Sequence, residues 1–103
     1  MVKVHVTLHN GSIQSLRIQG HADSAPYGQD LVCAGTSAVA IGLLNALNEL
    51  AEGCCDLEMN QSIQVTVNQS TETVQNVLQC GLIQLQTLED QYSKFIQIKK
   101  QEL

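Results

Sequence analysis

Apolar and polar residues alternate from the start of the chain: Val2, Val4, Val6 and Leu8 are separated by Lys3, His5, Thr7 and His9. A period of two places the four apolar side chains on one face, which predicts a strand with one buried side. Asn10-Gly11 supplies a turn, and Leu16 and Ile18 belong to a second strand that pairs with Val6 and Val4. A two-residue loop would set these pairs on opposite faces, so a three-residue loop with Gly11 left-handed is expected. Between Gly20 and Gln29 the periodicity stops, and Gly20, Pro26 and Gly28 give the composition of a mobile connection. From Asp30 to Glu52 apolar residues cover so much of a helical circumference that the helix is expected to be largely buried. Gly53 is placed to end it in the left-handed conformation.

Leu57 and Met59 face the same way as Ile63, Val65 and Val67 if a short loop at Asn60 to Ser62 joins them, which predicts a second hairpin. Ser70 is expected to cap a helix with Glu72 in its first turn. There Val74, Val77, Leu78, Leu82, Leu85 and Leu88 follow 3.6-residue spacing. Phe95, Ile96 and Ile98 make a short final strand. The order ββαββαβ describes an α+β fold, a mixed sheet with two packed helices, and 103 residues suffice for one domain with one modest core.

The chain is 44% hydrophobic but only 3% aromatic, so Leu, Ile, Val and Ala must fill that core. A formal charge of -5, with no Lys/Arg cluster outside Lys94 to Lys100, argues against direct nucleic-acid binding and suits a cationic peptide better. The longest apolar run, Ala38 to Leu44, is about a third of what a membrane span requires. A soluble, cytoplasmic protein is expected. Two of the four cysteines are adjacent, Cys54 and Cys55, and no secretory signal precedes the chain, which favours reduced thiols.

Cys33 falls where the polar loop gives way to the apolar run, and so lies in the first turn of the long helix. Unpaired N–H groups and the helix dipole there favour a thiolate. His21 follows the second strand, and the intervening loop has only to fold back for its imidazole to reach the sulfur. Such a pair can pass the thiol proton to the imidazole, attack a peptide or ester carbonyl, and return a proton to the leaving amine. The N–H of Cys33 or Ala34 is a candidate oxyanion donor, and Gly35 leaves room for a substrate backbone. Asp30 is a candidate helix cap or a candidate orienter of the imidazole. Because a cap would compete for the Cys33 N–H, the second role is slightly favoured. Ser37, one turn beyond Cys33, is either a back-bonded hydroxyl or a substrate contact. His5 and His9 read as exposed, and Cys54, Cys55 and Cys80 as structural. No Cys-x-x-Cys spacing occurs, and a zinc site built from His21, Cys33 and one of the other cysteines is a third-ranked alternative.

Gly20-His21-Ala22, followed after a variable loop by Gly28-Gln29-Asp30-Leu31-Val32-Cys33-Ala34-Gly35-Thr36-Ser37, resembles the signature of the Prp family of ribosomal-processing cysteine proteases. Leu31 and Gly35-Thr36 depart from that pattern, which has a β-branched residue and then Ala followed by a small or apolar residue. The resemblance implies a single cysteine-protease-like domain over residues 1–103. It further implies a cysteine endopeptidase that removes a short N-terminal extension from a large-subunit ribosomal protein precursor. On it, Cys33 matches the nucleophile, His21 the general base, and Gly20, Asp30 and Ser37 the accompanying motif positions. It also implies a homodimer with a mobile loop over the site, with no cofactor or metal. The alternative is a non-catalytic ribosome-associated peptide-binding module.

Overall fold

In the computed structural model, which describes residues 1–22, 25–26 and 30–103, the first alternating run forms β1 (Val2–His9). Val2, Val4 and Val6 are buried and Lys3 and His5 face solvent, as the period of two requires. β2 (Ser12–Gln19) pairs antiparallel with it, Val6 opposite Leu16 and Val4 opposite Ile18. The turn, however, is two residues long. Asn10 and Gly11 both have positive φ, 51° and 79°, and His9 faces Ser12. A β-bulge restores the faces: Thr7 pairs with Ser15 but Leu8 with Ile13, so Gln14 is the extra residue that returns Leu16 and Ile18 to the core side. The side-chain amide of Gln14 donates to the Val67 carbonyl at 3.1 Å.

β3 (Cys55–Met59) and β4 (Ile63–Val67) form the second hairpin, with Leu57 opposite Val65 and Met59 opposite Ile63. The sheet order is β3-β4-β2-β1-β5, antiparallel except where β5 (Ile96–Glu102) runs parallel to β1. β5 is longer than its apolar pattern predicts, because its backbone keeps pairing with β1 as far as Leu8 opposite Glu102.

Two 20-residue helices, α1 (Leu31–Leu50) and α2 (Glu72–Gln91), cover the apolar face of the sheet. α2 is capped by Thr71, not Ser70. The Thr71 hydroxyl accepts from Val74 N at 3.1 Å, three residues on, whereas the Ser70 hydroxyl accepts from the Gln75 side chain. Val74, Leu78, Leu82 and Leu85 face inward. α1 is not largely buried as its composition suggests. Only Val32, Thr36, Ala40, Leu43 and Leu47 are inside, while Leu31, Ile41 and Leu50 are 76%, 45% and 64% exposed. With both helices on one face of the sheet, nothing among the described residues covers the outer side of α1. By length and composition α1 could cross a membrane, yet its inner stripe belongs to the same aliphatic core as β1, β2, β4 and α2. Gly53 has φ 80°, as expected just past the end of α1, where Ala51 is the cap. The lid expected over Ala22 to Gln29 falls mostly outside the described residues.

Candidate active site

At the end of β2 the chain turns at Gly20, which has φ 87°. A Cβ there would collide with the Met1 carbonyl oxygen, so only glycine lets the chain pass this close to the start of β1. The turn sets the exit direction of the next two residues. His21 is exposed and Ala22 is buried.

α1 begins beside them. Asp30 is its N-cap, and one carboxylate oxygen accepts from Cys33 N at 3.0 Å. Cys33, the third helical residue, is half-buried, and its sulfur accepts a hydrogen bond from Ala22 N at 3.3 Å. The residue after His21 is thereby tied to the candidate nucleophile.

A cavity of about 260 Å³ opens at this junction. Gly20, His21, Cys33 and Ser37 all line it, so the strand end and the helix start deliver the expected residues to one place. Cys33, Thr36, Ser37 and Ala40 form the helical wall, at the spacing that shares one face. Ile18 and Ile63 supply an apolar opposite wall.

Three expected contributors sit elsewhere. Asp30 acts as the helix cap, the role ranked second from sequence. Ala34 N donates to the Asp30 carbonyl at 3.0 Å, the first bond of the helix, and Cys33 N is held by the Asp30 carboxylate. Both expected oxyanion donors are thus already engaged. Gly35 does not open onto the cavity either: a Cβ there would stand 3.4 Å from the Leu88 side chain, so its smallness serves the approach of α2.

The rim holds residues that spacing alone does not indicate, Asn60, Gln61 and Ser62 in the β3–β4 loop. They arrive because β4 lies next to β2, with Ile63 opposite Ile18. The same loop, with Gln19 and Gly20, separates this cavity from a larger adjoining hollow of about 730 Å³ that Lys3 and Arg17 flank. Among the described residues, the charged side chains lining these two hollows are cations, although the chain as a whole is acidic.

All four cysteines are free. The Cys55 thiol is pushed above its ordinary value of 9.0, mainly by burial and further by Cys54 and Asp56. Among the described residues no group of three His, Cys, Asp or Glu side chains is arranged to hold a metal ion.

Comparison with known proteins agrees with this geometry. The family model for cysteine protease Prp matches residues 1–97. The ribosomal processing cysteine protease Prp of Staphylococcus aureus (strain Mu50 / ATCC 700699) is 34% identical over 104 residues, covering 95% of this chain and 97% of the relative. The crystal structure of the essential ribosomal processing protease Prp from S. aureus with a covalently linked product peptide superposes with a TM-score of 0.91 at 32% identity, over 98% of this chain and 100% of that one. The same protease with a substrate peptide gives a TM-score of 0.81 at 30% identity, with the same coverage. The chain is a cysteine protease. It belongs to the Prp family.

Proposed function

We propose that this chain, as one domain over residues 1–103, removes a short N-terminal extension from a large-subunit ribosomal protein precursor, with Cys33 as nucleophile and His21 as general base. The observation that supports the reading is the cavity that His21 and Cys33 both line, with the Cys33 sulfur hydrogen-bonded to Ala22 N. The covalently linked product peptide of the S. aureus relative supports a thiol that bonds to its substrate.

In this mechanism His21 takes the Cys33 proton and the sulfur attacks the scissile carbonyl carbon, moving the carbonyl π electrons onto oxygen. With Cys33 N and Ala34 N engaged in the helix start, the donor for that oxyanion is Ala22 N–H, already aimed at the sulfur. As the C–N bond breaks, the imidazolium gives its proton to the leaving amine. Water, deprotonated by His21, then hydrolyses the thioester and restores the thiol.

Asp30 supports the site by fixing the first turn of α1, and Ser37, at the mouth, contacts the peptide. The enzyme works as a cytoplasmic homodimer without direct nucleic-acid contact. The exposed apolar side of α1 supports a second copy as its cover: Ile41 and Leu50 stand out of it, and an apolar cavity of about 360 Å³ lies between α1 and α2, bounded by Ala38, Leu43, Leu50 and Val77.

Incubating the precursor with the wild type, Cys33→Ala and His21→Ala tests the assignment. Cleavage by the wild type alone is expected. Equal cleavage by Cys33→Ala overturns it, and tight binding without turnover by all three would mark a peptide-binding module instead.

A further inference from the structure

β3 is an edge of the sheet, and on its outer side it has no strand partner among the described residues. Two turn hydrogen bonds fix the phase of its ladder with β4: Asn68 N donates to the Cys54 carbonyl at 2.8 Å, and Asn60 N to the Ser62 carbonyl at 3.1 Å. In an antiparallel pair, opposite residues alternate between those that exchange both hydrogen bonds and those that exchange none. Asp56 with Thr66 and Glu58 with Gln64 are therefore the bonding pairs inside the ladder. The N–H and C=O groups of Cys55, Leu57 and Met59 point the other way, an open row about 14 Å long.

The row leads to the cavity of Cys33 and His21. Met59, at its end, lines that cavity and is 62% exposed. Leu57 packs against the core, so its neighbours Asp56 and Glu58 stand on the sheet face away from the helices, and both are exposed. Their opposite residues in β4, Thr66 and Gln64, are neutral and leave the charge in place. Such an edge does not suit a second copy of the chain. Antiparallel pairing of β3 with another β3 about Leu57 sets Asp56 opposite Glu58, and like charges directly opposite work against the pairing. A cationic strand fits it.

We infer that β3 is a docking edge for the substrate: residues just downstream of the scissile bond add to it as an antiparallel strand, with Lys or Arg at alternate positions beside Asp56 and Glu58. The inference rests on the proteolytic reading, which puts the scissile carbonyl at the Cys33 sulfur. β3 runs from Cys55 towards the cavity at Met59, so a strand antiparallel to it starts at the cavity and runs away from it. That is the direction taken by the mature portion of the substrate. A ribosomal protein needs cations to neutralise RNA phosphates, and the same cations complement the acidic edge. Main-chain pairing supplies affinity without regard to sequence, and the two carboxylates select the charge.

The test uses quenched-fluorescence peptides that share the extension, the scissile bond and the two residues after it. One stops there, one continues for the length of β3 with Lys at two alternate positions, and one has Glu in place of both Lys. Wild type should cleave the Lys peptide with kcat/KM about tenfold above the other two, chiefly through KM. Asp56→Lys/Glu58→Lys should reverse the order of the Lys and Glu peptides, and Lys is well tolerated on an edge strand. Equal kcat/KM for all three peptides in wild type, or an unchanged order in the double variant, overturns the inference. Hydrogen exchange on Cys33→Ala with the Lys peptide tests the pairing apart from turnover. The Cys55, Leu57 and Met59 amides should exchange quickly in the free protein and about tenfold more slowly with peptide bound. Absence of slowing overturns the inference, and so does protection already present in the free protein, which would put a second copy on this edge. If wild type cleaves no peptide but these amides are slowed, the proteolytic reading fails and the docking edge stands.

Discussion

The amide nitrogen of Ala22 stands 3.3 Å from the sulfur of Cys33 and donates to it, joining the end of β2 to the first turn of α1 through a main-chain group. A main-chain donor keeps its direction when side chains move, so the same N–H can follow the negative charge from sulfur to the substrate oxygen. Ala22→Pro deletes the N–H and should lower kcat by about 10²- to 10³-fold with a smaller change in KM, the usual cost of one oxyanion donor. Ala22→Gly keeps the N–H and should retain most of the activity. Steady-state kinetics on folded variants, checked by circular dichroism, separate the two.

Asp30 spends one carboxylate oxygen on the Cys33 N–H. Losing that cap in Asp30→Ala should cost about 1 kcal/mol. For a domain of this size that lowers Tm by roughly 4–8 °C in a thermal melt. Asp30→Asn can still cap and should hold the wild-type Tm. Near-normal turnover by Asp30→Asn would assign the residue to the helix alone, whereas a large fall in kcat at unchanged Tm would show that its charge also acts on His21.

Gly20 combines a positive φ with a close approach to the Met1 carbonyl oxygen, and Gly11 has a positive φ with open space around it. Gly11→Ala should therefore cost only backbone strain, about 1–2 kcal/mol, and leave peptide hydrolysis intact. Gly20→Ala adds a steric clash beside His21. It should lower Tm further than Gly11→Ala and reduce kcat/KM, readable by melting curves and initial rates.

Cys55 is the thiol that its surroundings hold protonated, through burial first and then Cys54 and Asp56. In a mixture with limiting iodoacetamide near neutral pH, mass spectrometry should find Cys33 modified well before Cys55. The same shift links to stability. A group with a raised folded-state pKa favours the native state fully below its unfolded value and loses that contribution as pH rises through the folded one. Denaturation midpoints should accordingly fall as pH climbs past 9.0. Cys55→Ser should flatten that decline.

What alternation and helical period encode was legible in the residues themselves: seven elements in order, the pairing of Val6 with Leu16 and Val4 with Ile18, and the position of Cys33 in the first turn of α1. The Asn10-Gly11 turn holds two residues where the pattern predicts three, because a bulge at Gln14, which has no compositional mark, compensates for a loop length that would otherwise scramble the faces. α1 reads as largely buried because composition counts apolar residues without saying how many layers exist to cover them. The role of Gly35 depends on where Leu88 lies, 53 positions further along the chain, and local pattern does not carry that separation. Strand order, which brings Asn60 to Ser62 to the mouth of the cavity, is likewise a property of the assembled sheet.

β1 lies inside the sheet, and one of its two neighbours, β5, comes from the opposite end of the sequence, with Val2 beside Ile96. That pairing joins positions 94 residues apart. The Met1 carbonyl that Gly20 packs against lies at the start of the same strand, so the corner from which His21 leaves β2 leans on a closure between distant parts of the sequence.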